Sequence, residues 1–304
     1  MAYSINGLDQ RLQDWLAVNK ETLISKALFN SKASERFNLQ TGVVNDTAIV
    51  RLDVTAPLQD GSQCGFTASG SDTFSNRMLE PVTVAVMKEY CPKDLLKSWA
   101  ATEVAVTAGR EKLPFEQKTL ELIAEQVNKN VEHLLMEGDV NQGGLMNGLL
   151  TKISNEITSG VIPAANDIAK GSDDVLTRCQ KLFLACPAEL LGRAEIWMSL
   201  GNYKQLLTDL VNANLYNIYE TMSDANDYSM VLPGTTLVIR GVDSITKDVI
   251  VLMDPKNVYK GVDLTGGQEE YDLFYDRSSQ TFKLVISFQL AINYIFAEEM
   301  FVNR

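Results

Sequence analysis

Residues Leu113 to Leu150 constrain the fold of this chain more than any other stretch. They read as one long amphipathic helix, an abrupt Glu137-Gly138-Asp139 stop, and a glycine-studded segment beyond it. Leu120, Ile123, Val127, Val131 and Leu134 recur at spacings of three and four and so form one apolar stripe. Glu116, Lys118, Glu121, Glu125, Lys129 and Asn130 lie largely off that stripe. Pro114 can open the helix, because a first-turn residue has no intrahelical use for its amide hydrogen. Gly138 can take the left-handed cap that other residues resist, and Asp139 can then begin a turn. About 24 residues at 1.5 Å each make a rod of roughly 36 Å, about twice the common helix length. Such a rod suits a spine beside a sheet better than the wall of a catalytic pocket.

The segments around it predict what it lies against. Residues 1–40 form an amphipathic arm, with Leu8, Leu12, Trp15, Leu16, Leu23, Ile24, Ala27 and Leu28 near helical spacing. That much apolar surface needs a cover, either the arm's own body or a neighbour. Val50, Leu52 and Val54 alternate with Ile49, Arg51 and Asp53, and Val82, Val84 and Val86 alternate with Thr83, Ala85 and Met87. Between these strands Thr55 to Leu79 is rich in glycine, serine and aspartate and poor in large apolar residues. It reads as a long projecting hairpin loop that cannot bury its own surface. Cys91-Pro92-Lys93-Asp94 predicts the start of a further helix through Trp99.

Beyond Leu150 the pattern is mixed. Val175, Leu176, Cys179, Leu182 and Phe183 have helical spacing, and Ile196 to Ser199 is a short apolar strand. Ser199 or Asn202 can cap the helix that carries Tyr203, Leu206, Leu207, Leu210 and Val211. Short strands follow at Thr236–Ile239 and Val249–Met253. Leu284, Ile286, Phe288, Leu290, Ile292, Tyr294 and Phe296 then occupy every second position, with Lys283, Ser287, Gln289 and Asn293 opposite. This predicts a long, half-exposed strand. The class is α+β, with an antiparallel sheet beside a long helix.

Composition narrows function by exclusion. With 27 basic against 39 acidic residues the net charge is −12, which disfavours sequence-specific nucleic-acid reading without excluding a protein that surrounds nucleic acid. No signal peptide or membrane span is read, and the four cysteines, without a CxxC pair, read as reduced thiols. The single histidine, His133, falls on the long helix, so a Ser-His-Asp triad would have to centre there, and no GxSxG elbow accompanies it. Gly138, Gly143, Gly144 and Gly148 are followed by no Gly-Lys-Ser/Thr, so they read as turn formers and not a phosphate cradle. The carboxylate pairs Asp173-Asp174, Glu269-Glu270 and Glu298-Glu299 read as solvated faces of an acidic protein. No cofactor or metal is expected, and the chain is not expected to be an enzyme.

The order of these elements resembles the major capsid protein of tailed bacteriophages, a family with the Hong Kong 97-type fold. The pieces that carry the resemblance are the arm, the polar hairpin between strands near 48–54 and 80–88, and helix 114–137 with its Glu137-Gly138-Asp139 exit and Gly143-Gly144-Leu145. They continue with the mixed segment holding Trp197-Met198-Ser199, then Gly261-Val262-Asp263-Leu264, Tyr271-Asp272 to Tyr275-Asp276, and the closing strand. The resemblance implies an arm (1–40), strands and an extended loop (41–90), a peripheral domain with the spine helix (91–150), an axial domain (151–258) and peripheral return strands (259–304).

It further implies self-assembly into hexamers and pentamers of an icosahedral head around double-stranded DNA, in the virion and formed in the host cytoplasm. Scaffolding, portal and auxiliary head proteins are the implied partners, and no membrane is. Subunit-interface residues would be Leu12, Trp15, Asp60, Phe66, Phe74 and Arg77, and Gly138 and Asp139 would mark the helix stop. No lysine lies between Arg51 and Lys88, so the lysine–asparagine cross-link that some members form from this loop is not expected. The absence of a long N-terminal extension favours a separate scaffold. An encapsulin-like compartment shell is the alternative with the same fold, and a metal-dependent enzyme using the acidic pairs is the third reading.

Overall fold

The computed structural model describes residues 33–55, 57–58, 69–90, 115–213, 228–263, 271–276, 278–279 and 281–304. The first strands are β1 (Asn38–Thr41), β2 (Thr47–Val54), β3 (Asp72–Leu79), β4 (Val82–Tyr90), β5 (Asp167–Ile168), β6 (Glu195–Ser199) and β7 (Ser229–Val231). They are followed by β8 (Val238–Val242), β9 (Ile250–Met253), β10 (Val258–Val262), β11 (Tyr271–Asp276), β12 (Thr281–Tyr294) and β13 (Phe301–Asn303). The helices are α1 (Phe115–Glu137), α2 (Leu149–Ser159), α3 (Val175–Ala185) and α4 (Leu200–Asn212).

Strand β12 organises the first sheet. It pairs antiparallel with β4 along one side, and with β11 and then β10 along the other, while β1 adds parallel to β10. Register sets Val86 opposite Ile286 and Val84 opposite Phe288, so the apolar alternations of the two strands fall on one face. That face shares a core with Val127, Val131, Leu135 and Met136 of α1 and with Leu149, Leu150 and Ile153 of α2. Ile123 and Leu134 pack at its margin. Helix α1 thus lies against the sheet. Pro114 and the expected helix from Cys91 lie outside the described residues.

The helix exit corrects one expectation. Gly138 does not take the left-handed conformation; Gly143 does, with φ of 83°. Gly138 is required by close approach, since a Cβ there would sit 2.4 Å from the Met146 carbonyl oxygen. Its carbonyl accepts from the Gly148 amide at 2.8 Å, closing the 139–147 excursion at its neck. Asp139 accepts from the Asn141 amide and starts the turn. Glu137, the last residue of α1, is buried. Its carboxylate accepts from the Thr246 and Lys247 amides, each at 2.7 Å, and ties the end of α1 to the loop before β9.

The second sheet runs β5-β13-β9-β6-β8-β7, with parallel pairs β5–β13 and β6–β8, so neither sheet is purely antiparallel. Helices α3 and α4 share its core through Cys179, Leu182, Tyr203, Leu206 and Leu210. Ser199 caps α4 by accepting from the Asn202 amide. Residue 151 falls inside α2, which packs with the first sheet through the shared core and through Lys152 Nζ donating to the Ile292 carbonyl. Strand β13 leaves the first sheet for the second, where buried Arg178 bonds Asn303 and Asp248. Residues 33–41 lie on their own body: Phe37 stacks on Trp197 at 5.3 Å, and Arg36 pairs with Glu195 at 2.6 Å.

Two further readings change. Asp72–Leu79 is a strand and not part of a loop, pairing residue for residue with β2 from Thr47↔Leu79 to Val54↔Asp72. Strand β12 is half exposed only to Gln289. From Leu290 onward both faces are buried, because Val43, Ile49 and Leu79 cover Ala291 and Ile295.

Candidate assembly surface

The β2–β3 ribbon has two faces of different character. Directly opposed residues share a face, so Val50, Leu52 and Val54 lie with Phe74, Asn76 and Met78. These apolar side chains are in solvent: Val50 is 64% exposed, Leu52 51%, Val54 59% and Phe74 74%. Isolated exposed apolar residues are ordinary, but several on one ribbon face form a patch of the kind that marks a contact surface. Covering five such side chains would stabilise a contact by about 5–10 kcal/mol before association costs.

The opposite face anchors the ribbon to the body through two arginines at successive same-face positions. Arg77 makes a bidentate pair with Glu156, with contacts of 2.7 and 2.8 Å, and its guanidinium lies 4.5 Å from the ring centre of Tyr294. Tyr294 donates its hydroxyl to the same carboxylate at 2.6 Å. Burial and that hydrogen bond push the Tyr294 hydroxyl above its ordinary range. For Arg77, burial opposes the charge, but Glu156 outweighs it and raises the pKa. One step outward, Arg51 lies 4.7 Å from the ring centre of Phe296 and pairs with Glu298 and Asp53. Hydrogen bonds to Glu298, then Asp53, raise the Arg51 pKa. Burial disfavours the Glu298 carboxylate, yet Arg51 holds it below its ordinary range.

Of the residues expected at an interface, Phe74 is on the exposed face beside Leu52. Arg77 is not: its side chain is spent on Glu156 and Tyr294 within the same chain. Leu12, Trp15, Asp60 and Phe66 lie outside the described residues. Gly138 and Asp139 form the helix exit and not part of this surface. Val50, Leu52, Val54 and Met78 were not singled out as contact residues. Their alternation was visible, but an apolar face is ordinarily given to the core.

Among the described residues, no group of three histidine, cysteine or acidic side chains could hold a metal. Asp173 pairs with Lys181, Glu298 with Arg51 and Glu299 with Arg193. His133 is exposed, 4.0 Å from Glu137. Buried Cys179 and Cys186 have thiol pKa values pushed up to about 12 and about 11 by burial, which makes them poor nucleophiles. No described helix is long and apolar enough to cross a membrane.

No family model matches the chain, and no curated protein matches it in sequence. Solved structures do resemble it. The satellite phage P4 procapsid including the size determination (Sid) protein aligns with a TM-score of 0.61 at 11% identity, over 99% of this chain and 98% of that one. The capsid of an empty GTA particle aligns at 0.55 and 12% identity, over 90% of this chain and 89% of that one. Microbacterium phage Oxtober96 aligns at 0.53 and 13% identity, over 90% of each chain. At these identities the likeness is one of fold: helices and sheets in this order form a capsid-protein fold of the phage type.

Proposed function

We propose that the chain is a shell-forming subunit, the major capsid protein of a tailed phage. It assembles with copies of itself into hexamers and pentamers of an icosahedral head that encloses double-stranded DNA. The observation that carries this reading is the solvent-facing apolar face of the β2–β3 ribbon, presented on a phage-capsid-type fold. A subunit that must be covered by its neighbours has reason to hold such a face outward.

The role is structural and not catalytic. Its contact residues would include Leu12, Trp15, Asp60 and Phe66 together with Phe74 on the ribbon face, and the second sheet would be the capsomer centre. The net charge of −12 suits a wall that contains DNA without gripping it. Scaffolding, portal and auxiliary head proteins are the proposed partners, assembly is placed in the host cytoplasm, and the virion is the final location. The P4 procapsid structure includes a size determination protein, which lends support to a separate accessory factor here.

The test is electron microscopy of the expressed protein, alone and with the products of neighbouring genes. Closed shells of uniform size that take up DNA support the reading. Strictly monomeric protein under all assembly conditions, absent from virions, contradicts it, and shells filled with a cargo enzyme favour a compartment instead.

A further inference from the structure

A cavity of about 230 Å³ lies where the 139–147 excursion, α2, the loop before β9 and the end of β13 meet. Its lining joins the aliphatic residues Ile153, Ile157, Val249 and Val302 to Thr151 and Lys247. Thr151 is the anomaly. A helical threonine can return its hydroxyl to the carbonyl four residues back, as Thr158 of α2 does to Ser154 at 2.9 Å and Thr208 of α4 does to Lys204 at 3.2 Å. Thr151 is only 6% exposed, yet its hydroxyl meets no hydrogen-bond partner among the described residues. Leaving a buried hydroxyl unbonded is costly, so this one calls for a partner supplied from the cavity. Lys247 is half-buried, and its ammonium forms no ion pair among the described residues. Arg304, the other cation of the lining, is already held by Asp167 and Ser154.

We propose that this cavity is a binding site for a small amphipathic monocarboxylate, held with its ring or short chain against the aliphatic residues, its carboxylate on Lys247 and one oxygen accepting from Thr151. Size, polarity and charge each select this class. A cavity of about 150 Å³ suffices for a benzene ring, so the space here takes a ring and a short acid tail. Water alone suits the lining poorly, because a buried water needs about two to four polar partners and the aliphatic residues supply none. The charged side chains of the lining, Lys247 and Arg304 against Asp139, favour an anion, although the chain as a whole has a net charge of −12. The bound acid would bridge α2 to β13 and to the loop before β9, and so fasten the two sheets together. The site belongs to the single folded subunit and does not rest on the shell-subunit reading.

The test is titration calorimetry of the full chain with 3-phenylpropionate, and with 3-phenylpropan-1-ol as its uncharged counterpart. The acid should bind with a Kd of about 1 mM or tighter, the range open to a ligand of about eleven non-hydrogen atoms. At about ten times Kd it should raise Tm by about 2 °C, because only the folded chain offers the site. Lys247→Met should weaken binding of the acid at least about fivefold and leave the alcohol within about twofold of wild type, which also shows that the cavity is intact. Thr151→Val, nearly equal in shape, should weaken both ligands at least about threefold. No binding of the acid up to about 10 mM, or equal affinity in the wild type and both variants, overturns the site and leaves the cavity to water.

Discussion

The β2–β3 ribbon and strand β12 carry the same period-two signature and meet opposite fates. Leu284, Ile286, Phe288 and Leu290 of β12 are buried against α1 and α2. Val50, Leu52 and Val54 of β2 have the same spacing, yet they face solvent. Alternation states that a strand has an apolar face; only topology decides what covers it. A helix lies beneath β12, while the body's covering elements meet the ribbon on its other face, through arginine and not through valine and leucine.

Substitutions on the two strands should therefore separate folding from assembly. The largest effect on folding is expected in β12: Leu290→Ala removes a fully buried side chain and should cost about 2–5 kcal/mol in denaturant unfolding. If Leu52→Ala cost as much in the unassembled subunit, the contrast between the two strands would vanish.

The covered region also holds a buried charge. Lys260 of β10, opposite Ile292 of β12, donates to Ser34 at 2.9 Å. Burial lowers its pKa from 10.5 to about 8, against the opposing pull of Glu132 and Glu35. Between those two pH values the folded chain has lost a proton that the unfolded chain still binds, so stability should rise with pH across that window. At about 1.36 kcal/mol per unit the gain is about 3 kcal/mol. Lys260→Met should flatten this part of the pH–stability curve; a curve identical to wild type would mean that Lys260 is hydrated in solution.

Glu137→Gln should cost about 1–3 kcal/mol, because the amides of Thr246 and Lys247 bond one carboxylate oxygen and both lose a charged acceptor in a part-buried site. Loss of under about 0.3 kcal/mol would show that the α1 exit and the second sheet are held together by apolar packing alone. Smallest of all, Leu52→Ala and Phe74→Ala should change monomer stability by under about 0.5 kcal/mol. The same changes should sharply reduce particle yield in electron micrographs, and full yield from the double variant would remove the ribbon face from the interface.

Much of this was legible in the chain. The long helix α1, the alternation of β12 and the apolar strand ending at the Ser199 cap follow from spacing and capping chemistry that depend on neighbours in sequence. Strand β3 was hidden because Asp72, Thr73, Ser75 and Asn76 look like loop residues; they are strand because β2 supplies their hydrogen bonds. Glu137 reads as part of the helix stop, and nothing local shows that Thr246 and Lys247 will meet it across 109 and 110 positions. The move of β13 into the second sheet is likewise a long-range pairing with no local mark. The candidate surface was half legible: Phe74 and Arg77 both lie in a segment that reads as unable to bury its own surface. Phe74 faces solvent, whereas the Arg77 side chain bonds Glu156 and lies on Tyr294.

The claim most worth testing is that the Val50, Leu52 and Phe74 face is covered by another copy of this chain. A cryo-electron microscopy map of assembled particles, at a resolution that shows side chains, tests it directly. This face should be buried beneath a neighbouring subunit at every position in the shell. Closed particles in which these side chains remain in solvent would contradict it.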